Sequence, residues 1–244
     1  MGDIKKGIIY FSIALLFVNC KNNDSEAPIL LFNGTGTSPN DVAAIKNILS
    51  SNHLDFELVN TAQLNGIDTN QLKQHQLIII PGGDFIEMGK SLTTAATHTI
   101  QAAVHQGLNY LGICAGGFLA GETHNNSFNI TGGTSFKFYS AEDKGIRKAA
   151  VAVTNADGIM IEHYWEDGPQ LNGWGEVVSK YPDGTAATVQ GNYGSGWIVL
   201  TGIHAEAPES WRKAFSFSTS IENSYQYAGK LIRSALEKKA MPHF

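Results

Sequence analysis

Leu111-Gly112-Ile113-Cys114-Ala115-Gly116-Gly117 is the stretch whose reading decides the fold. An apolar run ends on one cysteine and passes at once into a glycine-rich segment, the pattern of a strand that turns sharply into a helix. Gly112 and Gly116 remove side chains where strand and helix approach, the steric logic of the G-x-S-x-G hydrolase elbow with sulfur in place of oxygen. A cysteine at that turn stands at a helix N-terminus, where the dipole and free backbone N–H groups favour thiolate over thiol. A buried cysteine beside packing glycines would give the same string, so the chemical reading needs partners elsewhere.

Upstream, Pro28-Ile29-Leu30-Leu31-Phe32 runs into Asn33-Gly34-Thr35-Gly36 and reads as a buried strand entering a glycine-rich turn. Ser38-Pro39-Asn40-Asp41 then supplies a capping hydroxyl, a proline at the first helical position and an acid in the first turn. Val42, Ile45, Ile48 and Leu49 fall on one face of the helix that follows. The next strands expected are 56–59 and 77–80. The second of these is short, rich in β-branched residues and free of polar ones, as a parallel strand covered on both faces would be. It ends in Pro81-Gly82-Gly83-Asp84. Helical spacing over 93–106 closes on Gly107, and 109–113 is the next strand. This alternation predicts right-handed crossovers and a parallel sheet, with functional groups at the carboxyl ends of its strands.

Beyond Gly121 the pattern changes. Short β-like stretches at 136–139, 149–153, 159–161, 176–179, 187–190 and 197–201 are punctuated by turns such as Asp157-Gly158 and Pro182-Asp183-Gly184. They predict an antiparallel extension, and a closing helix is expected from 221 to about 239. The fold class expected is α/β, a flavodoxin-like parallel sheet with helices on both faces plus an antiparallel β extension.

Partners for Cys114 lie far along the chain, where a strand runs into Gly202-Ile203-His204-Ala205-Glu206. His204 is placed to take the thiol proton and Glu206 to orient the imidazole and stabilise its charged form. Backbone N–H groups at Gly82 and Gly83, with that of Ala115, would face a developing oxyanion; read blandly, Pro81-Gly82-Gly83 is a turn after a strand. Tyr164, Trp165 and Trp174 are candidates for a substrate cleft, with core packing as the competing reading. No metal motif is expected, because His163 and His204 lack further ligands at tight spacing and Asp, Glu and His do not cluster along the sequence. No cofactor is implied.

Together these motifs resemble a known family. Gly112-Ile113-Cys114-Ala115-Gly116 is similar to the G-x-C-x-G nucleophile motif of class I glutamine amidotransferases, Pro81-Gly82-Gly83 to their oxyanion loop, and His204-Ala205-Glu206 to their H-P-E pair. Order and spacing agree over nearly all of the chain after Ala27. The nearest group is the amidotransferase-like domain at the N-terminus of some biotin-protein ligases, which the run from His163 to Pro169 also resembles. The resemblance implies a triad of Cys114, His204 and Glu206. Two departures stand out. Phe118 falls where a glutaminase elbow continues as G-x-Q, which speaks against glutamine hydrolysis, and Ala205 replaces a proline that shapes backbone and carries no proton.

With 244 residues, 43% apolar and 16% charged, and 26 glycines, the chain fits one turn-rich globular domain. A net charge of -5 with 17 scattered Lys and Arg argues against nucleic acid as a partner. The first twenty residues differ from the rest. Lys5 and Lys6 precede an apolar run over 7–18, too short to cross ~30 Å of hydrocarbon but long enough for a signal-peptide core. The run stops at Asn19-Cys20 before a polar stretch, an arrangement that resembles a bacterial lipoprotein signal with Cys20 as the lipidated first mature residue; an uncleaved anchor is the alternative. The organisation expected is a signal peptide over 1–19, a polar linker over 20–27 and one domain over 28–244. The protein is then tethered to a membrane of the bacterial cell envelope through lipid on Cys20. Lipidation would leave Cys114 as the lone free thiol of an exported chain. Two functions are carried forward. One is a Cys-His-Glu thiol hydrolase acting on an amide or acyl bond of a small-molecule or peptide substrate. The other is a non-catalytic ligand-binding or scaffold lipoprotein, with Phe118, Tyr164 and Trp165 lining its pocket.

Overall fold

A computed structural model describes Gly2 and residues 27–244. The expected signal peptide beyond Gly2, the lipidated Cys20 and the linker up to Glu26 lie outside the described residues. Among the described residues no helix is long and apolar enough to cross a membrane.

Successive residues of each central strand enter different cores, and this splits the molecule into layers. Ile29, Leu31, Ile79, Leu111 and Val199 pack on one face with Val42, Ile45, Leu49, Leu231 and Ile232. Leu30, Phe32, Ile78, Ile80, Ile198 and Leu200 pack on the other with Ile100, Ala103 and Val104. Each such side chain, fully buried, contributes about 1.5–3 kcal/mol. The strands involved are β1 (Ile29–Phe32), β2 (Phe56–Val59), β3 (Leu77–Ile80), β4 (Asn109–Ile113) and β11 (Gly196–Thr201). The helices are α1 (Pro39–Ser51) and α8 (Ile221–Glu237) on the first face and α5 (Thr94–His105) on the second. β2, β1, β3, β4 and β11 are parallel neighbours in that order.

The sheet then continues antiparallel through β10 (Ala186–Tyr193), β9 (Glu176–Lys180), β6 (Lys148–Asn155) and β7 (Met160–Glu166), giving nine strands. The α/β fold with its antiparallel extension is therefore as the sequence predicts. Several elements differ in detail. α2 (Thr61–Gly66), α3 (Thr69–Leu72) and α4 (Phe85–Ser91) are held by the capping side chains of Asn60, Asp68 and Asp84 and are too short to show a hydrophobic period. The stretch expected around Phe136 to Tyr139 reduces to β5 (Lys137–Phe138), paired with β8 (Pro169–Gln170) apart from the main sheet. β7 is longer than expected and takes in His163, Tyr164 and Trp165. The remaining elements are α6 (Ala115–Ala120) after the elbow, a 3-10 turn at Glu142–Lys144 and α7 (Glu209–Arg212) before α8.

His163 lies fully buried in β7, its ring 5.0 Å from that of Tyr227, and neither ring nitrogen has a hydrogen-bond partner. Burial, reinforced by the charge of Arg212, pushes its pKa down to about 3. The unfolded chain therefore takes up a proton near pH 6.5 that the native state refuses, so stability is lost as pH falls from about 6.5 toward 3. His163→Leu is expected to remove roughly 2 kcal/mol of the stability lost between pH 7 and pH 5, read from urea unfolding at the two pH values. An unchanged acid limb would show that His163 is not the residue responsible.

Candidate active site

The strand order reverses direction between β1 and β3, and chain segments leaving the carboxyl ends of β1, β3, β4 and β11 meet beside that point. The loops after β1 and β3 are stitched together: Ser38 donates its N–H to the Gly82 carbonyl at 3.0 Å and Asp84 donates to Gly36 at 2.8 Å. Asp41 arrives on the first turn of α1, whose start is capped by the Ser38 hydroxyl.

Cys114 follows β4 with φ 49° and ψ −102°, a left-handed conformation that a side chain adopts only when its surroundings impose it. The imposition is visible. Its N–H donates to Thr201 on β11 at 2.8 Å, and its carbonyl accepts from Gly117 at 2.9 Å. A Cβ at Gly116 would run into the Ile80 carbonyl, and one at Gly112 into Gly116, so the turn closes only around glycine. The thiol is 6% exposed and donates to the Glu166 carbonyl at 3.5 Å; no hydrogen bond joins it to His204.

His204 is placed by its own backbone, which donates to Tyr164 of β7 at 2.9 Å. Its Nδ1 lies 2.8 Å from Glu206 Oε1 and 3.0 Å from Asp41 Oδ1, and all three side chains are buried. Gly82 packs directly on this group, since a Cβ there would meet Asp41 and His204. Burial works against charge on His204, but the acids outweigh it, Asp41 first and then Cys114 and Glu206, and its pKa is raised well above the ordinary value. Burial is also the largest influence on Glu206 and raises it, whereas for Asp41 burial is overcome by the charge of His204 and its pKa falls. The expectation that Asp, Glu and His do not cluster is thus corrected: the three donor atoms lie within 4.8 Å of one another, a spacing that could also hold a metal ion. The cluster was hidden because Asp41 comes from a different loop, more than half the chain away. Nδ1 is committed to Glu206 at hydrogen-bond distance, and the arrangement is that of a hydrogen-bonded charge cluster.

Cys114, Asp41 and His204 open onto one cavity of about 750 Å³. Of the residues expected at the site, Ala115, Gly83, Phe118 and Tyr164 also line it. Three expectations need correction. Gly82 is buried behind the cavity and serves close packing with Asp41 and His204. Trp165 is 0% exposed and points to the opposite side of β7 from Tyr164, against Tyr139, because neighbours on a strand face opposite ways. Trp174 packs against the second core near Gly191. Phe118 stacks on Phe85 at 4.5 Å and meets Phe138 at 4.9 Å, forming one aromatic wall. The facing wall is Tyr164, Trp211 and Phe215. Arg212 anchors this second wall by donating to Ser224 at 3.1 Å and Thr219 at 3.0 Å while stacking on Phe217. Asp41, Phe85, Trp211 and Phe215 escaped sequence reading. The position of Asp41 just past the end of β1 was the one signal available, and its role as a helix-start acid accounted for it sufficiently.

A nucleophile elbow, a following glycine-rich turn and a strand-borne His-x-Glu on a parallel sheet define a class I glutamine amidotransferase-like domain. The family described as "Biotin-protein ligase, N terminal" matches residues 27–158, more than half of the chain, and the protein belongs to it. A biotin–protein ligase of Schizosaccharomyces pombe is 24% identical over 213 residues, 73% of this chain and 33% of that protein. The chain thus spans about a third of the length of that curated relative. Among solved structures, a glutamine amidotransferase from Thermotoga maritima superposes with a TM-score of 0.57 at 15% identity, covering 86% of this chain and 96% of the other. An exo-β-1,4-mannosidase from an Opitutaceae bacterium gives 0.51 at 10% identity over 86% of this chain and 36% of its own. Both structural likenesses are of fold.

The elbow predicts its own fragility. Gly116→Ala is expected to cost about 1–3 kcal/mol or more in urea unfolding, because the new methyl meets backbone that cannot swing aside. A loss below about 0.5 kcal/mol would mean that the strand and helix are not so tightly apposed.

Proposed function

We propose that this protein is a membrane-anchored thiol hydrolase of the bacterial cell envelope, acting on an amide or acyl bond of a small-molecule or peptide substrate. The observation that carries the reading is Cys114, held at φ 49° on an elbow that opens into the same cavity as His204. Strain of this kind at a non-glycine residue marks sites where geometry serves chemistry. In the reaction the Cys114 sulfur attacks the carbonyl carbon as its proton passes to His204, and the oxyanion faces the N–H groups of Gly83 and Ala115. Collapse breaks the carbonyl–nitrogen or carbonyl–oxygen bond, with His204 protonating the leaving group. Water then cleaves the thioester, giving its proton to His204 and returning the thiol. Glu206 accepts the Nδ1 proton of His204 and fixes the ring throughout. Anchoring through lipid on Cys20 rests on the charged, apolar and polar succession of the first residues. Phe118, stacked into the aromatic wall, favours a substrate other than glutamine.

One observation favours a second reading, a non-catalytic ligand-binding protein. The thiol proton is directed to the Glu166 carbonyl and not to His204, so the resting site is not assembled for proton transfer.

Iodoacetamide separates the two. An active site predicts alkylation of Cys114 faster in the native protein than in denatured protein, and slowed about 10²-fold or more by His204→Ala. Hydrolysis of a panel of N-acyl and ester substrates should fall by 10²–10⁴ with Cys114→Ala or His204→Ala. Native alkylation no faster than denatured, with no turnover in the panel, would leave the binding reading standing.

A further inference from the structure

The buried cluster contains one acceptor too many. His204 Nδ1 lies close to both Asp41 and Glu206 but carries a single proton, and hydrogen-bond geometry gives it to Glu206 at 2.8 Å. Asp41 Oδ1 is consequently a buried carboxylate oxygen with no donor. A buried acceptor left without a partner costs roughly 1–3 kcal/mol, and more when charged. Two ionised carboxylates side by side in such an interior are a further expense, which a proton held between them removes.

We propose that Asp41, and not Glu206, holds the negative charge that balances His204 once it has taken the Cys114 proton, while Glu206 is a neutral acid bridging the two. The inference rests on the reading of His204 as the base that serves Cys114. Glu206 then accepts the Nδ1 proton through its carbonyl oxygen and donates its own hydroxyl to the orphaned oxygen of Asp41. The Asp41 oxygen that has no partner then gains a donor. The choice between the acids follows from their places in the fold. Asp41 sits in the first turn of a 13-residue helix, where free N–H groups and the macrodipole stabilise an anion. Glu206 follows a strand, is 3% exposed, and belongs to no helix. The opposing shifts of the two acids agree with this division.

The other groups around the imidazole have hydrogen-bond or ion-pair partners of their own. Cys114 faces it from the elbow and Tyr164 from β7, with ring centroids 6.0 Å apart. The Tyr164 hydroxyl donates to Glu166, which is itself paired with Lys148 at 2.8 Å. Arg147 is taken by Asp167 at 2.6 Å and reaches Glu142. Asp41 is therefore a positioning residue that acts through His204, and Glu206 is the conduit between them.

The test is carboxyl ¹³C NMR on the labelled native protein at neutral pH. The Glu206 side-chain carbon is expected at the shift of a neutral acid and that of Asp41 at the shift of a carboxylate; any other assignment overturns the proposal. Asp41→Asn and Glu206→Gln supply a second reading through the pH titration of the His204 ring. Asp41→Asn should lower its midpoint by about one pH unit or more, a tenfold loss of proton affinity, and Glu206→Gln by clearly less. Equal or reversed effects overturn the proposal, and if Asp41→Asn fails to fold, the native carboxyl shifts decide alone. Failure of the hydrolase reading would show separately, as slow alkylation and no turnover with these shifts intact.

Discussion

The parallel pairing of β4 with β11 is the constraint from which the site follows. Thr201 stands opposite Ile113, and its carbonyl takes the N–H of Cys114. That one hydrogen bond ends one strand on Cys114 and lets its neighbour continue for three residues to a histidine. Side chains from distant parts of the chain thus become neighbours through backbone pairing alone, before any attraction between thiol and imidazole is considered. The glycines of the elbow exist to let this pairing run to the last residue, because any Cβ at 112 or 116 would push the strand and helix apart. Reactivity and packing are the same problem here.

How much of this could be read in the sequence depended on range. The buried strands and amphipathic helices announced themselves through periodicity, since Leu77 to Ile80 and the face of Val42, Ile45 and Leu49 have no other use than burial. Cys114, His204 and Glu206 were legible because each lies beside a local signal: flanking glycines for the thiol, a preceding strand and an offset of two for the pair. Asp41 was not legible, because its local context explained it fully as an acid at a helix start. Trp165 misled for the converse reason, as an aromatic beside Tyr164 whose side chain the pleat sends to the other face. The second aromatic wall, Trp211 and Phe215, belongs to a segment pinned by Arg212, and no periodicity marks such a segment.

The match to the family covers residues 27–158, which takes in four of the five parallel strands and Cys114 and stops short of β7, β11 and His204. The residues that complete the site lie beyond it: His204, its acid partner Glu206 and the Tyr164 wall. Similarity of fold with the Thermotoga amidotransferase extends over nearly all of both chains, yet at 15% identity it speaks of architecture only.

β7 is the last strand in the order of the sheet, as far from β2 as the topology allows, yet its Tyr164 backbone bonds to His204 and its Glu166 carbonyl receives the Cys114 thiol. The extension has curled until its outer edge lies against the middle. An edge that would otherwise offer unpaired backbone to another chain is spent on the molecule's own interior. The sheet approaches a closed ring here, and Cys114 and His204 both sit on its seam. The backbone of the β6–β7 hairpin is therefore part of the frame of the site, a link that an open sheet would lack.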